Sequence, residues 1–190
     1  MPRLQIIVTS TRPGRIGLSI GQWVADAANK HGGFEVDLAD LAEIDLPLMD
    51  EPNHPRLAKY TNRHTKEWSA RVAAADAIVF VLAEYNHTFT AAAKNAIDYL
   101  HNEWQYKPVG LVSYGGVAAG TRAAQALKPV LLAVKAIPLV EAVPIPFAQQ
   151  FLDDDQVVVP NELMENSAKL MFDELSRWSE ALRVLRPPSP

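Results

Sequence analysis

A short stretch near the start of the chain, residues 9–17, concentrates side chains that can bind an anion. Ser10 carries a hydroxyl group, Arg12 and Arg15 carry guanidinium groups, and Gly17 precedes a helix-like segment. Free backbone N–H groups at a helix N-terminus, the positive end of the helix dipole and arginine forks all favour a phosphate. Neither dinucleotide nor nucleoside-triphosphate fingerprint (GxGxxG, GxxxxGK[ST]) occurs, so a monophosphate is the better prediction. The alternative is an exposed basic turn with solvated arginines.

A second polar stretch, residues 83–90, lies between a strand-like run and a helix-like run. Its backbone N–H groups and the Asn86 side chain are suited to the polar edge of a flat heterocycle, with Tyr85 packed beside it. Glu84 and His87 are possible acid–base groups. A carboxylate or a lone histidine in such a loop is more commonly a cap or a solvated side chain, so neither is assigned a catalytic role.

The third stretch, residues 113–120, is rich in glycine. Gly115 and Gly116 allow the backbone to approach a planar ligand closely. The alternative interpretation is a tight turn whose only purpose is to start the next helix. An acidic run at 153–155 is interpreted as a solvated loop, because it lacks further ligands at useful spacing for a metal.

Composition limits the class of protein. The chain has 190 residues, 48% of them hydrophobic, which suits one domain with a sizeable core. A net charge of −4 and the lack of a long basic run argue against a nucleic-acid or anionic-membrane surface. No cysteine occurs, which excludes disulfides, thiolate nucleophiles and cysteine-held metals. With no membrane-length apolar run and no secretory pattern after Met1, we expect a cytoplasmic protein.

Strand-like and helix-like segments alternate along most of the chain. Strands are predicted at residues 4–8, 34–39, 77–82, 109–113 and 139–143. Helices are predicted at residues 16–31, from near Leu57 to Ala75, at 91–100, after Gly120, and along the stripe Met171, Leu175, Trp178, Leu182 and Leu185. Pro129 predicts a kink or an early break in the fourth of these helices. Residues 46–55, with three prolines, are expected to form a surface loop.

This alternation predicts an α/β fold: a three-layer doubly wound sandwich whose five-stranded parallel sheet has the flavodoxin-like order 2-1-3-4-5. Residues 1–185 are expected to form one domain, and residues 186–190 a disordered tail. Ligands of such sheets bind outside the carboxyl ends of the strands, where the three polar stretches would converge.

Taken together, the three stretches resemble the NADPH-dependent FMN reductase family of flavodoxin-like proteins, over roughly residues 4–145. Residues 9–15 look like the phosphate loop of that family. Residues 84–88, followed by 94–100, are similar to its Pro-Glu-Tyr-Asn-x-Ser motif and its Lys-Asn-Ala-Ile-Asp-Trp/Tyr-Leu run, and residues 113–116 look like its Gly-rich flavin loop. Ala83 stands where the family usually has proline, and the start of the following helix also departs from the family pattern, without loss of a polar contact.

The resemblance implies an FMN site built from all three stretches. Its residues are Ser10, Arg12, Arg15, Ile16 and Gly17 around the phosphate; Glu84, Tyr85, Asn86 and His87 along the isoalloxazine edge; and Ser113, Tyr114, Gly115 and Gly116 around the other end of the ring.

The resemblance also implies an NAD(P)H-dependent reductase. In such an enzyme a hydride passes from NADPH or NADH to FMN, and electrons pass on to a flavin, quinone, azo or metal-oxyanion acceptor. The flavin carries this chemistry, so neither a catalytic side chain nor a metal site is expected. A homodimer or homotetramer is implied as well, and its candidate interface consists of Trp104, Tyr106 and the helix at 91–101. Charge and composition exclude nucleic acid and membrane as expected partners.

Two other interpretations stay open on sequence alone. One is an FMN-binding electron carrier or flavin-binding regulator; mild acidity and few aromatic residues in the three stretches favour the reductase over it. The other is a hydrolase or transferase that uses Glu84 or His87, against which stand the missing G-x-S-x-G elbow and the lack of a histidine–aspartate pair at recognisable spacing.

Overall fold

The computed structural model describes residues 1–186 and contains a five-stranded sheet in the order β2-β1-β3-β4-β5. All neighbouring strands pair in parallel. The strands are β1 (Arg3–Val8), β2 (Glu35–Asp40), β3 (Ala77–Ala83), β4 (Pro108–Tyr114) and β5 (Ile137–Ile145). The predicted fold class and strand order are confirmed.

Helices cover both faces of this sheet. They are α1 (Gly17–His31), α2 (Leu41–Ile44), α3 (Arg63–Ala73), α4 (Ala91–Asp98), α5 (Thr121–Ala133) and α6 (Glu162–Leu182). One core cluster joins the sheet to α1 and α6, and a second joins it to α3, α4 and α5. Within residues 1–186, no helix has both the length and the apolar character needed to cross a membrane.

The central strands are apolar along their whole length because each faces two helical layers. In β3, Val79 and Val81 belong to the cluster with α1 and α6, whereas Ile78 and Phe80 belong to the opposite cluster. All seven residues of β3 are buried. Successive side chains of a strand point to opposite faces, so both sets must be apolar in a sheet covered on both sides.

The strand order creates a crevice at the carboxyl ends of the central strands. The chain moves from β1 to β2 in one direction and from β3 to β5 in the other, so the reversal lies between β1 and β3. Register brings Val8 beside Val81 and Ala83 beside Tyr114, so the loops after β1, β3 and β4 leave the sheet at similar heights. Such a reversal point is where doubly wound sheets bind ligands.

The helix expected from near Leu57 begins later than predicted. Pro55–Leu57 is a single 3₁₀ turn, ended by Ala58 in the left-handed conformation at φ 49°. The Glu51 carboxylate then accepts bonds from the N–H groups of Thr61 and Asn62, both 2.8 Å long, just before α3 starts at Arg63. A capping contact between distant positions, which helical periodicity does not reveal, sets this start.

The early break predicted at Pro129 is wrong. Helix α5 continues through that residue to Ala133. Leu127 and Leu131, on either side of the proline, are completely buried against the sheet. Packing on both sides thus outweighs the hydrogen bond that proline cannot donate.

The C-terminal helix is longer than its apolar stripe suggested. Helix α6 begins at Glu162, where Asn161 accepts a bond of 2.9 Å from the N–H of Met164. Trp178 and Leu185, expected on the buried stripe, are 40% and 54% exposed. Arg186, placed in the predicted tail, donates to the Ser179 carbonyl at 3.2 Å; residues 187–190 lie outside the described residues.

Trp104, predicted at a subunit interface, is a core residue of its own chain. It has no exposed surface, and its ring lies 6.1 Å from both Trp68 and Phe80, measured between centroids. Its indole N–H donates to the Ile97 carbonyl at 3.1 Å. An interface role for Trp104 is therefore wrong, because nothing outside the chain can reach it.

Candidate functional site

A cleft of about 360 Å³ lies at the carboxyl end of the sheet. Its lining residues are Arg12, Arg15, Ile16, Tyr85, Tyr114, Gly115, Gly116, Phe147, Ala148, Gln149 and Gln150. The loops after β1, β3 and β4 therefore meet as expected. Six predicted residues, Ser10, Gly17, Glu84, Asn86, His87 and Ser113, lie outside the lining.

The Ser10 hydroxyl lies buried behind the cleft lining, near the hydroxyl of the lining residue Tyr114. Ser10 has no exposed surface; its Oγ lies beside the Tyr114 hydroxyl but forms no hydrogen bond of regular geometry within residues 1–186. The preceding Thr9 is fixed to β3 because its hydroxyl donates to the Val81 carbonyl at 2.8 Å. A buried hydroxyl without a partner is costly, and a ligand that bonds it removes that cost.

Helix α1 starts unusually close to Ser10. A Cβ atom on Gly17 would overlap the Ser10 Oγ and would lie 2.5 Å from the Tyr114 hydroxyl, so only glycine fits. The first turn of α1 has no acidic residue, and the Ile16 cap position makes no side-chain bond. These helix-start N–H groups, with the Ser10 hydroxyl, fit the phosphate of FMN.

Arg15 is held in place by a buried carboxylate that sequence reasoning missed. Its guanidinium donates to Asp40, whose side chain is 3% exposed, and to the Ser10 carbonyl at 3.3 Å. Asp40 also accepts a bond of 3.0 Å from the N–H of Ala42 and so caps α2. Arg15 is therefore oriented and partly neutralised. Arg12 stays exposed, and within the described part of the chain its guanidinium donates only to the Pro13 carbonyl, at 3.3 Å.

The loop after β3 is a tight two-residue turn. Tyr85 and Thr88 exchange backbone bonds of 2.9 and 3.0 Å, and Asn86 and His87 between them have φ of 49° and 66°. Two successive left-handed residues define the turn that matches strand twist. Asn86 and His87 are exposed at its tip, whereas Tyr85 lines the cleft with 38% of its surface exposed.

Glu84 connects two of the loops rather than acting as a free base. Its carboxylate accepts bonds from Arg122, 2.8 Å from the guanidinium and 3.3 Å from the backbone N–H. Its side chain is only 10% exposed. Ser113 is likewise engaged, because its hydroxyl donates to the Ala119 carbonyl at 2.9 Å. Both residues shape the loops from behind the cleft.

Tyr114 brings a neutral phenol to the same site. Burial raises the pKa of Tyr114 to about 12, although the polar contact with the Ser10 hydroxyl and the charges of Arg15 and Arg12 act in the opposite direction. The hydroxyl therefore keeps its proton at neutral pH and stays available as a donor beside Ser10 and Gly17.

The turn after β5 is the part of the cleft that sequence reasoning missed. Phe147 and Ala148 donate backbone bonds to Gly116 and Gly115, at 3.1 and 3.2 Å. Phe147, Gln149 and Gln150 then line the cleft. The segment carries no motif, and its only signal was its position directly after a predicted strand.

Comparison with known proteins decides the family. A model of the NADPH-dependent FMN reductase family matches residues 2–150, a range that contains the whole cleft lining. The chain belongs to the NADPH-dependent FMN reductase family. It is accordingly an oxidoreductase that works with FMN and NAD(P)H, and the prediction of a reductase is confirmed.

Individual relatives agree with this assignment. The chain is 37% identical over 192 residues to an NAD(P)H-dependent FMN reductase of Schizosaccharomyces pombe, with 98% of this chain and 94% of that protein covered. It is 29% identical over 187 residues to an NADPH azoreductase of a Bacillus species, covering 96% and 95%. The structure of FerB, a flavoenzyme NAD(P)H:(acceptor) oxidoreductase from Paracoccus denitrificans, shares the fold with a TM-score of 0.76 at 21% identity, covering 95% and 98%.

Proposed function

We propose that FMN binds in the cleft and serves there as the redox centre for a small planar acceptor. The observation that carries this proposal is the buried Ser10 hydroxyl, which lies beside the uncapped start of α1 and forms no hydrogen bond of regular geometry within the described residues 1–186. A phosphate bonded there gains the hydroxyl and the helix-start N–H groups. Arg12, exposed at the rim, adds a charged donor that is free to move.

The remaining loops would hold the flavin ring. The turn at 85–88 presents Tyr85, and Gly115 and Gly116 line the same cleft. Bound FMN supplies the chemistry by accepting a hydride from NAD(P)H and passing two electrons to an acceptor. The protein holds the rings in contact and excludes water, so no side chain has to transfer a proton.

Quinones and azo compounds are the acceptors that this cleft suits best. Apolar and aromatic surface from Ile16, Tyr85, Tyr114 and Phe147 lines it, and flat conjugated rings pack well on such surface. The azo substrate class of the Bacillus relative supports the same choice.

We also propose that residues 1–185 act as one FMN-binding domain, that the chain forms a homodimer or homotetramer, and that it works in the cytoplasm. One sheet carries both core clusters, and the NAD(P)H donor is a metabolite of the cell interior. Leu48 is 82% exposed beside α4, where Asn95 donates to the Pro47 carbonyl at 2.7 Å. A fixed, exposed apolar side chain there suits contact with a second copy.

The visible spectrum of the protein reconstituted with FMN tests this function directly. We expect bound flavin that bleaches within seconds when NADPH is added without oxygen, and that regains its colour when a naphthoquinone is added. Bound flavin that neither NADPH nor NADH bleaches would instead support an electron carrier. Failure to retain FMN would contradict the cleft assignment.

A further inference from the structure

Phe147 adopts a backbone conformation that its residue type disfavours. Its φ of 45° lies in the left-handed region, where a side chain with a Cβ is strained. Its side chain is nonetheless 49% exposed, so burial of the ring does not explain the strain. Strained residues with no packing reason are concentrated at ligand sites.

Neighbouring bonds hold this conformation in place. The N–H of Phe147 donates to Gly116 at 3.1 Å, and the N–H of Ala148 donates to Gly115 at 3.2 Å. Gly115 in turn donates to the Ile145 carbonyl at 3.3 Å, and Ala148 is buried at 4% exposure. The turn is therefore fixed to the Gly-rich loop, and the backbone of Phe147 holds the base of its side chain at the cleft.

The strand order sets which end of the cleft this ring occupies. Strand β5 is the edge strand beyond β4, so its turn is separated from the loop after β1 by β3 and β4. Arg12 and Arg15 mark the phosphate end. Phe147 therefore belongs to the end where flat rings, rather than charged groups, have to be accommodated.

The chemistry at that end matches a flat ring with a polar substituent. Phe147 offers an apolar face, and the amides of Gln149 and Gln150 line the same cleft. Tyr85 adds a second partly exposed aromatic ring to the lining. Aromatic faces attract planar conjugated rings, and amides both donate to and accept from carboxamide or carbonyl groups.

We propose that Phe147 is a specificity-determining residue: it forms the wall on which the planar ring that exchanges electrons with the flavin stacks, with Gln149 and Gln150 binding the polar substituent of that ring. The ring belongs to the nicotinamide of the donor, to an aromatic acceptor, or to each in turn. This inference rests on the proposed function, since it requires FMN in the same cleft.

Phe147→Leu and Phe147→Tyr variants separate the ring from the apolar bulk. Leucine removes the aromatic face and keeps a similar backbone requirement, whereas tyrosine keeps the face. Trp178→Leu is the matched control, because Trp178 is a partly exposed aromatic residue outside the cleft. Each FMN-loaded protein is titrated by calorimetry with NADP⁺ and with adenosine 2′,5′-bisphosphate, which lacks the nicotinamide.

We expect Phe147→Leu to weaken NADP⁺ about fivefold, the size of one aromatic pairing, with adenosine 2′,5′-bisphosphate unchanged. Phe147→Tyr and Trp178→Leu should bind both ligands like the parent protein. If the acceptor uses the same wall, the KM for 1,4-naphthoquinone rises by a similar factor in Phe147→Leu, while ferricyanide, which has no ring to stack, keeps its KM.

Two results would overturn the inference. Unchanged NADP⁺ affinity together with an unchanged KM for naphthoquinone in Phe147→Leu means that no substrate ring uses this wall. If Phe147→Leu loses affinity for FMN and the other two variants do not, the phenyl ring packs on the flavin itself. Failure of the parent protein to retain FMN is a different outcome, which contradicts the proposed function and removes the inference with it.

Discussion

Ser10 and Gly17 approach so closely that a methyl group on Gly17 would overlap the Ser10 Oγ. This contact brings the start of α1 against the end of β1, and it makes the size of residue 17 a condition for both the fold and the site. We expect Gly17→Ala to lower the free energy of unfolding by about 1–3 kcal/mol, as overpacking does, and to abolish FMN retention. Urea unfolding and flavin fluorescence measure the two effects.

Gly116→Ala is the control for that substitution. No atom lies within 4 Å of a Cβ built on Gly116, and its φ is not in the left-handed region. Its stability should stay within about 0.5 kcal/mol of the parent. Equal stability losses in the Gly17 and Gly116 variants would contradict the steric argument.

Removing the Ser10 hydroxyl should affect the ligand rather than the fold. Its Oγ forms no hydrogen bond of regular geometry within residues 1–186, so Ser10→Ala removes only its contact with the Tyr114 hydroxyl and should unfold at a similar urea concentration. A hydrogen bond to a charged phosphate contributes about 1.5–3 kcal/mol, so FMN affinity should fall at least tenfold. Ser179→Ala, at a buried serine of α6, should leave FMN affinity unchanged. Parent-like FMN binding by Ser10→Ala would rule out a phosphate beside Ser10.

The sequence predicted those parts of the cleft whose residues lie close together in the chain. The loops after β1, β3 and β4 carry motifs, and these loops meet in the structure. Asp40, by contrast, acts on Arg15 from 25 residues away, and the turn at Phe147 reaches the cleft through backbone bonds, which depend on no side chain. Strand order followed from the alternation of elements, but the burial of Trp104 depends on contacts with Trp68 and Phe80 that no local pattern encodes.

The Arg15–Asp40 pair makes a prediction about how FMN stabilises the protein. In Asp40→Asn the buried guanidinium loses its counter-charge, and the ligand-free protein should be less stable by about 3 kcal/mol. A bound phosphate would replace part of that charge, so the rise in melting temperature on adding FMN should be larger in Asp40→Asn than in the parent.

Asp37→Asn is the matched control for the pair. Asp37 bonds Arg71 at 2.8 and 2.9 Å, on the same strand β2 but outside the cleft lining. This variant should be destabilised as well, yet FMN should raise its melting temperature by the same amount as in the parent protein. If FMN raises the melting temperature of Asp40→Asn by no more than it raises that of the parent, Arg15 does not face the phosphate.

Lys107 predicts a pH dependence of stability that is separate from the site. Its ammonium donates to the Val72 and Ala73 carbonyls at 2.5 and 3.2 Å, at the end of α3, and no carboxylate among residues 1–186 bonds it. Burial, aided by the charge of Arg186, lowers the pKa of Lys107 from 10.5 to about 7. Between these two values the unfolded chain binds a proton that the folded chain lacks, so this residue makes stability rise with pH from about 7 to about 10.

Lys107→Met tests this dependence, because it keeps the length of the side chain and removes the titrating group. Urea midpoints measured at pH 7, 8 and 9 should rise less steeply in the variant than in the parent, since in the parent the cost of removing the Lys107 proton on folding falls as the pH rises. Lys128→Met, at a residue of α5 that is partly exposed, provides the comparison and should keep the slope of the parent. If the urea midpoint changes with pH equally in the parent and in Lys107→Met, Lys107 does not lose its proton on folding in this pH range. The bonds to the two carbonyls would then offset the cost of burying the ammonium.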